Sequence, residues 1–362
     1  MTDAEPDIIS TLPGHIIDHI LSHLSIKEAV RTSILCTKWR YKWATLPNIV
    51  FDSQCISETS EDLLDIKSKL SRIIDHVLLL HSGQIKKFKL SHRELIGVTD
   101  IDRWTLHLTR RPVKEFVLEI WKGQRYKIPT CLFSCQGLHH LELFNCWLKP
   151  PSTFQGFRNL KSLDLQHVTL AQDAFENLIS SCPLLERLTL MNFDGFNHLN
   201  IHAPNLQFFD IGGKFDDISF ENTSQLAVVS IGLYVNFEYN QSRLHGRSSN
   251  LVEFLICLPR IQRLEIQSYF LKARPEEQPI PFAHHPYCWD DVYLDWPVMR
   301  VQHVRLDGIF GIKPELDFIN FLLQYSPVLE KMAVKPALNV GPELMKELLR
   351  FRRASPRAEI LI

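Results

Sequence analysis

The sequence predicts an α/β repeat fold, in which a small helical module is followed by a solenoid with a curved parallel sheet. Amphipathic helical spacing fills the first 50 residues, and a six-residue apolar phrase then recurs ten times. Successive phrases mostly start about 20 to 28 residues apart, which is the period of a stacked repeat. A chain of 362 residues with 45% hydrophobic side chains is long enough to bury the continuous core that such a stack needs.

The first helix is predicted to start near Pro13, a residue that suits the first turn of a helix. Ser25 followed by Glu28 fits a capping box, so a second helix starts near Ser25. We expect this second helix to carry Ile34 inward, together with Ala29, Val30 and Ser33. A third short helix is predicted to place Trp39 and Trp43 on one side, four residues apart.

These helices hold more apolar residues than about forty residues can bury alone, so we expect them to pack against a partner. The alternative is a small helical cap on the following domain. Residues 8–50 resemble a plant-type F-box, and the match is specific. It is carried by Leu12-Pro13, Ile20-Leu21, Leu24, Lys27-Glu28-Ala29-Val30-Arg31-Thr32-Ser33, Trp39-Arg40-Tyr41-Lys42-Trp43 and Leu46-Pro47. Two places depart from the family pattern, Gly14-His15 where acidic residues are common and Ser25 where proline is common.

The resemblance implies a partner for these helices. In that family the F-box docks on a Skp-type adaptor, which links it to a cullin scaffold and so to a ubiquitin ligase. The residues that the resemblance implies at or near the adaptor interface are Leu12, Pro13, Ile16, Ile20, Leu21, Leu24 and Trp39.

A helical linker is expected over residues 51–84, and repeats over residues 85–297. In each copy of the recurring phrase, the first, fourth and sixth residues are apolar. This pattern predicts a short strand, and the rest of the repeat returns the chain as a helix or loop. This pattern and period are those of leucine-rich repeats, although strands of another α/β fold are the alternative. The ten phrases start at Ile85, Val113, Leu138, Leu160, Leu185, Leu206, Leu226, Ile261, Val301 and Leu329.

The C-terminal residues 298–362 continue the repeats and resemble the FBD region that accompanies F-box and leucine-rich repeats in plant proteins. The whole chain is thus identified as a member of the F-box/FBD/leucine-rich-repeat family. Between the phrases at Ile261 and Val301 lies an insertion rich in Pro and aromatic residues, and long insertions in repeat proteins map to loops, often on a binding face.

Composition excludes several classes of partner. A net charge of −1 gives no general attraction to nucleic acid or to anionic membranes, so we expect neither as a partner. The N-terminus lacks the pattern of a signal peptide, and no apolar run approaches the length of a membrane span. We therefore expect an intracellular protein of the nucleus, the cytoplasm or both, whose eight scattered cysteines are small buried hydrophobes.

Catalysis within this chain is not expected, because the sequence has no C-x-x-C, G-x-S-x-G, H-E-x-x-H or P-loop pattern. A zinc-dependent ubiquitin ligase of the RING type would need paired Cys and His ligands. The densest cluster of metal-ligand types is His284, His285, Cys288, Asp290 and Asp291. Its irregular spacing favours a solvated loop, so we expect no metal and no cofactor.

Side chains between the apolar strand positions are predicted to face the concave surface, where repeat proteins commonly bind. Acidic residues gather there in the first repeats, and aromatic residues, including Trp121 and Trp147, lie near the strand ends. This arrangement predicts a basic substrate segment, and the alternative is a merely solvated sheet. The candidate substrate-binding residues are Glu115, Glu119, Glu142, Phe144 and Asp164.

The function predicted from the resemblance is a non-catalytic substrate receptor of a Skp-cullin-F-box ubiquitin ligase. One alternative is a small-molecule sensor, since some plant F-box leucine-rich-repeat proteins bind hormones and an inositol phosphate within the solenoid. The acidic face of the first repeats argues against such a phosphate. A further alternative is an F-box and adaptor assembly that acts outside any ligase, which the sequence does not separate from the first reading.

Overall fold

A computed structural model describes residues 8–55, 63–96, 99–213, 215, 217–232, 261–267, 298–337 and 343–362. The chain divides into two compact units, Met1–Leu170 and Ala171–Ile362, and each is described by itself. The long insertion after Gln267 and all five candidate metal ligands, His284, His285, Cys288, Asp290 and Asp291, lie outside the described residues.

The first unit begins with the short helices predicted from the sequence. The predicted capping box is confirmed, since the Ser25 hydroxyl accepts from the Glu28 backbone N–H and the Glu28 carboxylate accepts from the Ser25 N–H. The helices of this unit are α1 (Ile8–Thr11), α2 (Gly14–Ser22), α3 (Ile26–Arg31), α4 (Leu63–Leu80) and α5 (Thr99–Thr109), with 3₁₀ turns at Thr32–Ile34, Lys42–Thr45, Ser53–Cys55 and Thr130–Ser134.

Two details of the predicted helices are wrong. α3 ends at Arg31 and passes into a 3₁₀ turn, so the α-helical spacing that placed Ile34 inward is lost. The Ile34 side chain is instead 88% exposed. Trp39 and Trp43 are both buried as expected, but they lie in turns and a 3₁₀ helix rather than in one α-helix.

Parallel strands form the core of the first unit. They are β1 (Asn48–Asp52), β2 (Lys87–Ile96), β3 (Glu115–Lys122), β5 (His140–Phe144) and β7 (Ser162–Gln166), in that order across the sheet, while β4 (Tyr126–Lys127) and β6 (Cys146–Trp147) form a separate two-stranded sheet. Phe51, Phe88 and Phe116 lie on the inner face of three successive strands, with neighbouring ring centroids 6.0 and 5.7 Å apart. Because alternate side chains point to opposite faces, the other set of side chains forms the solvent-side face.

The second unit repeats this architecture. Its parallel sheet has the order β8 (Arg187–Met191), β10 (Phe208–Gly212), β12 (Val228–Ile231), β13 (Arg263–Gln267), β14 (His303–Ile309), β15 (Lys331–Pro336) and β16 (Glu359–Leu361), and β9 (His198–His202) pairs with β11 (Asp217–Glu221). The helices of the second unit are α6 (Gln172–Ser180), α7 (Lys313–Tyr325) and α8 (Glu343–Arg350).

The ten predicted phrases are all strands, and each strand starts two residues after the start of its phrase. The predicted fold class is therefore confirmed: a helical N-terminal module precedes repeats of parallel strands. β1, which spans the predicted boundary between the F-box and the linker, also belongs to the sheet, and α4 lies within the predicted helical linker, residues 51–84. Among the described helices, none combines the length and the apolar character of a membrane span.

Candidate functional site

Helix α2 separates two sets of isoleucine and leucine side chains. Ile17 and Leu21 are fully buried, whereas Ile16 and Ile20 remain 36% and 37% exposed. Residues four apart lie on one side of a helix, so each pair marks one stripe. The buried stripe belongs to the core of the unit itself, and the exposed stripe is available to a partner. Leu21, which the resemblance places at or near the adaptor interface, is thus buried in the core of this unit.

The remaining predicted adaptor residues divide in the same way. Pro13 is exposed, and Leu12 and Leu24 are half-buried. Trp39 is buried, and its indole N–H donates to the Ile9 carbonyl at 3.2 Å, a contact that joins it to α1. The predicted adaptor residues that keep some solvent exposure are Leu12, Pro13, Ile16, Ile20 and Leu24.

Sequence reasoning missed other exposed apolar side chains in these helices. Ile8 and Ile9 are exposed on α1, and Ile34 and Leu35 are exposed after α3. The exposure of Ile8 and Ile9 could have been predicted, since these two adjacent isoleucines precede the predicted first helix. The second pair was hidden because the turn after Arg31 changes the periodicity on which the prediction depended.

Backbone hydrogen bonds join the helical module to the first strands of the sheet. The Ala44 carbonyl accepts from the N–H groups of Ser82 and Gly83 at 2.9 and 3.2 Å, and the Pro47 carbonyl accepts from Lys86 and Lys87 at 2.7 and 3.1 Å. β1 then pairs with β2 along its whole length. We call this contact of residues 44–47 with residues 81–87 the joint. It fixes the helical module to the sheet within the first unit.

The acidic residues on the solvent-side face are partly neutralised by lysines that the sequence prediction had not paired with them. Lys87 contacts Glu115 at 3.0 Å, and Lys89 contacts Glu119 at 2.8 Å. Glu119 is only 8% exposed and also accepts from the Ser91 hydroxyl at 2.6 Å. Its carboxylate is committed to this internal network, so Glu119 is a poor candidate for contact with a substrate.

Glu142 and Asp164 lie directly opposite each other on β5 and β7. A hydrogen bond with His140 is the main cause that lowers the pKa of Glu142, with further contributions from Lys89 and Lys87, although burial acts in the opposite direction. Asp164 accepts from the Gln166 side chain at 3.0 Å. Two carboxylates at directly opposite positions repel each other, and His140 and Lys89 of the chain itself partly offset this repulsion.

Phe144 lies beside this carboxylate pair and in contact with two other rings. Its centroid is 4.6 Å from that of Trp121 and 4.9 Å from that of His167. Trp147, which had been grouped with these aromatic residues, lies in β6 of the small sheet, with the Lys127 ammonium 5.8 Å from its ring. The structure thus brings Phe144 and Trp121 together on the solvent-side face.

Burial disfavours the thiolate form of four of the described cysteines, Cys55, Cys131, Cys135 and Cys146. Burial raises the pKa of the Cys135 thiol to about 12, and it also raises the pKa of the Cys55 and Cys131 thiols. Nucleophilic cysteines need a lowered pKa. Within the part of the chain that the structure describes, no cluster of three or more His, Cys, Asp or Glu side chains has the arrangement of a metal site.

Comparison with known proteins places these features in context. A family model described as "F-box domain" matches residues 9–51, and one described as "FBD-associated F-box protein At5g56370, LRR repeats" matches residues 101–281. The F-box/FBD/LRR-repeat protein At1g13570 of Arabidopsis thaliana is 37% identical over 98% of this chain and 98% of that protein. The FBD-associated F-box protein At5g22730 of the same species is 28% identical over 99% of this chain and 95% of its own length.

A solved leucine-rich-repeat protein of Leptospira interrogans, LIC12759, aligns over 96% of this chain and 98% of its own, with a TM-score of 0.35 and 12% identity. These values are too low to bear on the fold.

Proposed function

The chain belongs to the F-box/FBD/LRR-repeat family, and from that membership we propose that it is the substrate-recognition subunit of a Skp-cullin-F-box ubiquitin ligase. Family membership makes it an F-box protein with a role in protein interaction, and F-box domains generally bind Skp1-type adaptors. In the proposed role the chain performs no chemistry. It holds a protein substrate near the ubiquitin-transferring machinery that the cullin carries.

The observation that carries the proposal is the exposed apolar stripe of α2. Ile16 and Ile20 leave apolar surface in water although their neighbours Ile17 and Leu21 are fully buried. Contiguous exposed apolar surface typically marks a site of protein interaction. The stripe lies within the segment matched by the F-box model, so the adaptor is the partner that fits it.

The joint supports the proposed role in substrate recognition. A receptor must hold its substrate at a defined place relative to the adaptor, and the hydrogen bonds that the Ala44 and Pro47 carbonyls accept fix the F-box to the strands that follow it. We propose that the solvent-side face of the first unit, around Phe144, Glu142 and Asp164, holds the substrate. Glu115 remains a peripheral candidate because its carboxylate is exposed but paired with Lys87.

Affinity purification under proteasome inhibition tests this function. The wild-type chain is expected to retain adaptor, cullin and accumulating ubiquitinated proteins together. The double variant Ile16→Arg, Ile20→Arg is expected to lose adaptor and cullin while its sheet stays folded, since both side chains are already exposed. The matched control is Leu79→Arg, an equally drastic change at a leucine that is 81% exposed on α4. Recovery of the adaptor without any cullin would contradict the ligase role.

A further inference from the structure

Three rings form a continuous row along the ends of three successive strands of the first unit. Trp121 is the penultimate residue of β3, Phe144 ends β5 and His167 follows β7. Phe144 lies between the other two, with centroid distances of 4.6 and 4.9 Å. We call Trp121, Phe144 and His167 the aromatic row. Trp121 is 49% exposed, and Phe144 and His167 are half-buried, so the row is accessible to solvent mainly at Trp121.

His167 occupies its place in the row in an unusual backbone conformation. Its φ is 51°, in the left-handed region. The residues that follow β5, β8 and β11 adopt the same conformation, and all three are asparagines: Asn145, Asn192 and Asn222. Asparagine enters this region readily because its short polar side chain forms local hydrogen bonds. Of these four positions after a strand, only the one after β7 has a histidine in place of asparagine, and its imidazole contacts Phe144.

The backbone and charge state of His167 both suit a role on this surface. Arg125 donates from Nε to the His167 carbonyl at 3.0 Å, which fixes the bend. Burial, with a smaller contribution from Arg125, lowers the pKa of the His167 imidazole below its usual value of 6.5. The ring is therefore neutral at pH 7 and adds no positive charge to the row.

Two carboxylates, partly neutralised by His140 and Lys89, lie beside the aromatic row. Glu142 precedes Phe144 by two residues on the same face of β5, and Asp164 is its direct cross-strand partner on β7. Gln166 lies opposite Phe144 and donates to Asp164 at 3.0 Å. Residues two apart on a strand are separated by about 6.6 Å. A planar cation that stacks on Phe144 would therefore lie close to the carboxylates of Glu142 and Asp164.

We propose that the aromatic row and the Glu142 and Asp164 carboxylates together bind an arginine side chain of the substrate protein. Arginine fits better than lysine because its guanidinium is planar, stacks on aromatic faces and binds carboxylates through two parallel hydrogen bonds. The carboxylates supply the complementary charge, and the rings supply the apolar area on which interface energy usually depends. This inference rests on the proposed function, since it names the substrate chemistry of the same surface.

A synthetic peptide of known sequence tests the proposed preference for arginine. The full chain in complex with its adaptor is titrated with a fluorescein-labelled peptide, Ser-Gly-Arg-Ser-Gly-Arg-Ser-Gly, and binding is followed by fluorescence anisotropy. Matched peptides carry lysine or citrulline in place of arginine. We expect saturable binding of the arginine peptide, about tenfold weaker binding of the lysine peptide and no measurable binding of the citrulline peptide.

Variants of the protein locate the binding site. Trp121→Ala and Asp164→Asn are each expected to weaken arginine-peptide binding about tenfold, and His167→Asn, which restores the residue of the other bends, is expected to weaken it less. Trp147→Ala is the matched control, because this tryptophan is similarly exposed but contacts Lys127. All variants should bind adaptor with unchanged affinity.

The outcomes separate this inference from the proposed function. Equal binding of the arginine and lysine peptides, no saturable binding, or an equal loss in Trp147→Ala would overturn the arginine site while leaving adaptor binding intact. Failure of the wild-type chain to bind the adaptor would instead overturn the proposed function.

Discussion

The His81 imidazole and the Leu46 carbonyl lie 2.8 Å apart and join the end of α4 to the end of the F-box. The carbonyl only accepts, so Nε2 must carry the proton. Arg111 Nη1 lies 3.4 Å from Nδ1 and only donates, so Nδ1 must be unprotonated. His81 is buried, and in the neutral form each of its ring nitrogens has a hydrogen-bond partner. The joint therefore depends on a neutral histidine.

The first prediction is that acid weakens the joint. Burial is the main cause that lowers the pKa of His81 below 6.5, and Arg111 adds to it, while hydrogen bonds from the Leu46 and Gly83 backbone oppose it. The unfolded chain binds a proton near pH 6.5 and the folded chain does not, so stability present above that pH is lost progressively as the pH falls through the folded-state pKa. Urea unfolding between pH 7.5 and 5.5 measures this loss.

His81→Gln should show a smaller loss of stability between those two pH values than the wild-type chain. Glutamine donates to the Leu46 carbonyl and accepts from Arg111 without titrating. The matched control is His76→Gln, on the exposed side of the same helix. Parallel pH profiles for the wild-type chain and His81→Gln would show that the joint does not sense acid.

The second prediction concerns Gly83, where a methyl group has no room. A Cβ built at this position lies 2.9 Å from both the Cα and the carbonyl oxygen of Thr45. Gly83→Ala should therefore lower the free energy of unfolding by about 1–3 kcal/mol through overpacking. Gly137→Ala is the control, since its new methyl group would lie 3.5 Å from the Val113 carbonyl oxygen, an ordinary contact. Equal effects of the two changes in urea unfolding would refute a tight joint.

A third prediction separates two glutamates that the sequence had placed together. Glu119→Ala should cost about 2 kcal/mol of stability, because the carboxylate is nearly buried and bonds both Lys89 and Ser91. Glu115→Ala should cost under about 1 kcal/mol, because its pair with Lys87 is exposed to solvent. Thermal unfolding measures both, and a Glu119→Ala variant as stable as Glu115→Ala would show that the internal network contributes little.

The repeat strands could be predicted because each phrase carries its own signal. In LHHLEL, for example, Leu141 and Leu143 fall on one face of a strand and Leu138 packs before it, so the short pattern decides the structure locally. The capping box at Ser25 was predictable for the same reason, since both of its hydrogen bonds lie within four residues. Such features need no knowledge of distant parts of the chain.

The candidate site depended more on contacts between distant residues. Lys89 and Glu119 are thirty residues apart, and only the strand register brings them to 2.8 Å. Ile34 was misplaced because a change from α to 3₁₀ geometry at Thr32 leaves no strong mark in the sequence. β1 was missed as a strand because NIVFD lacks the full phrase and owes its place in the sheet to pairing with β2.

The last prediction tests the central claim, that the exposed stripe of α2 binds a Skp-type adaptor. Isothermal titration calorimetry compares the wild-type chain, Ile20→Arg and the control Leu79→Arg with purified adaptor. A charge at the centre of an apolar interface should cost at least about 2 kcal/mol, or about thirtyfold in Kd, whereas the control should bind like the wild-type chain. Binding of Ile20→Arg at wild-type strength would contradict the account.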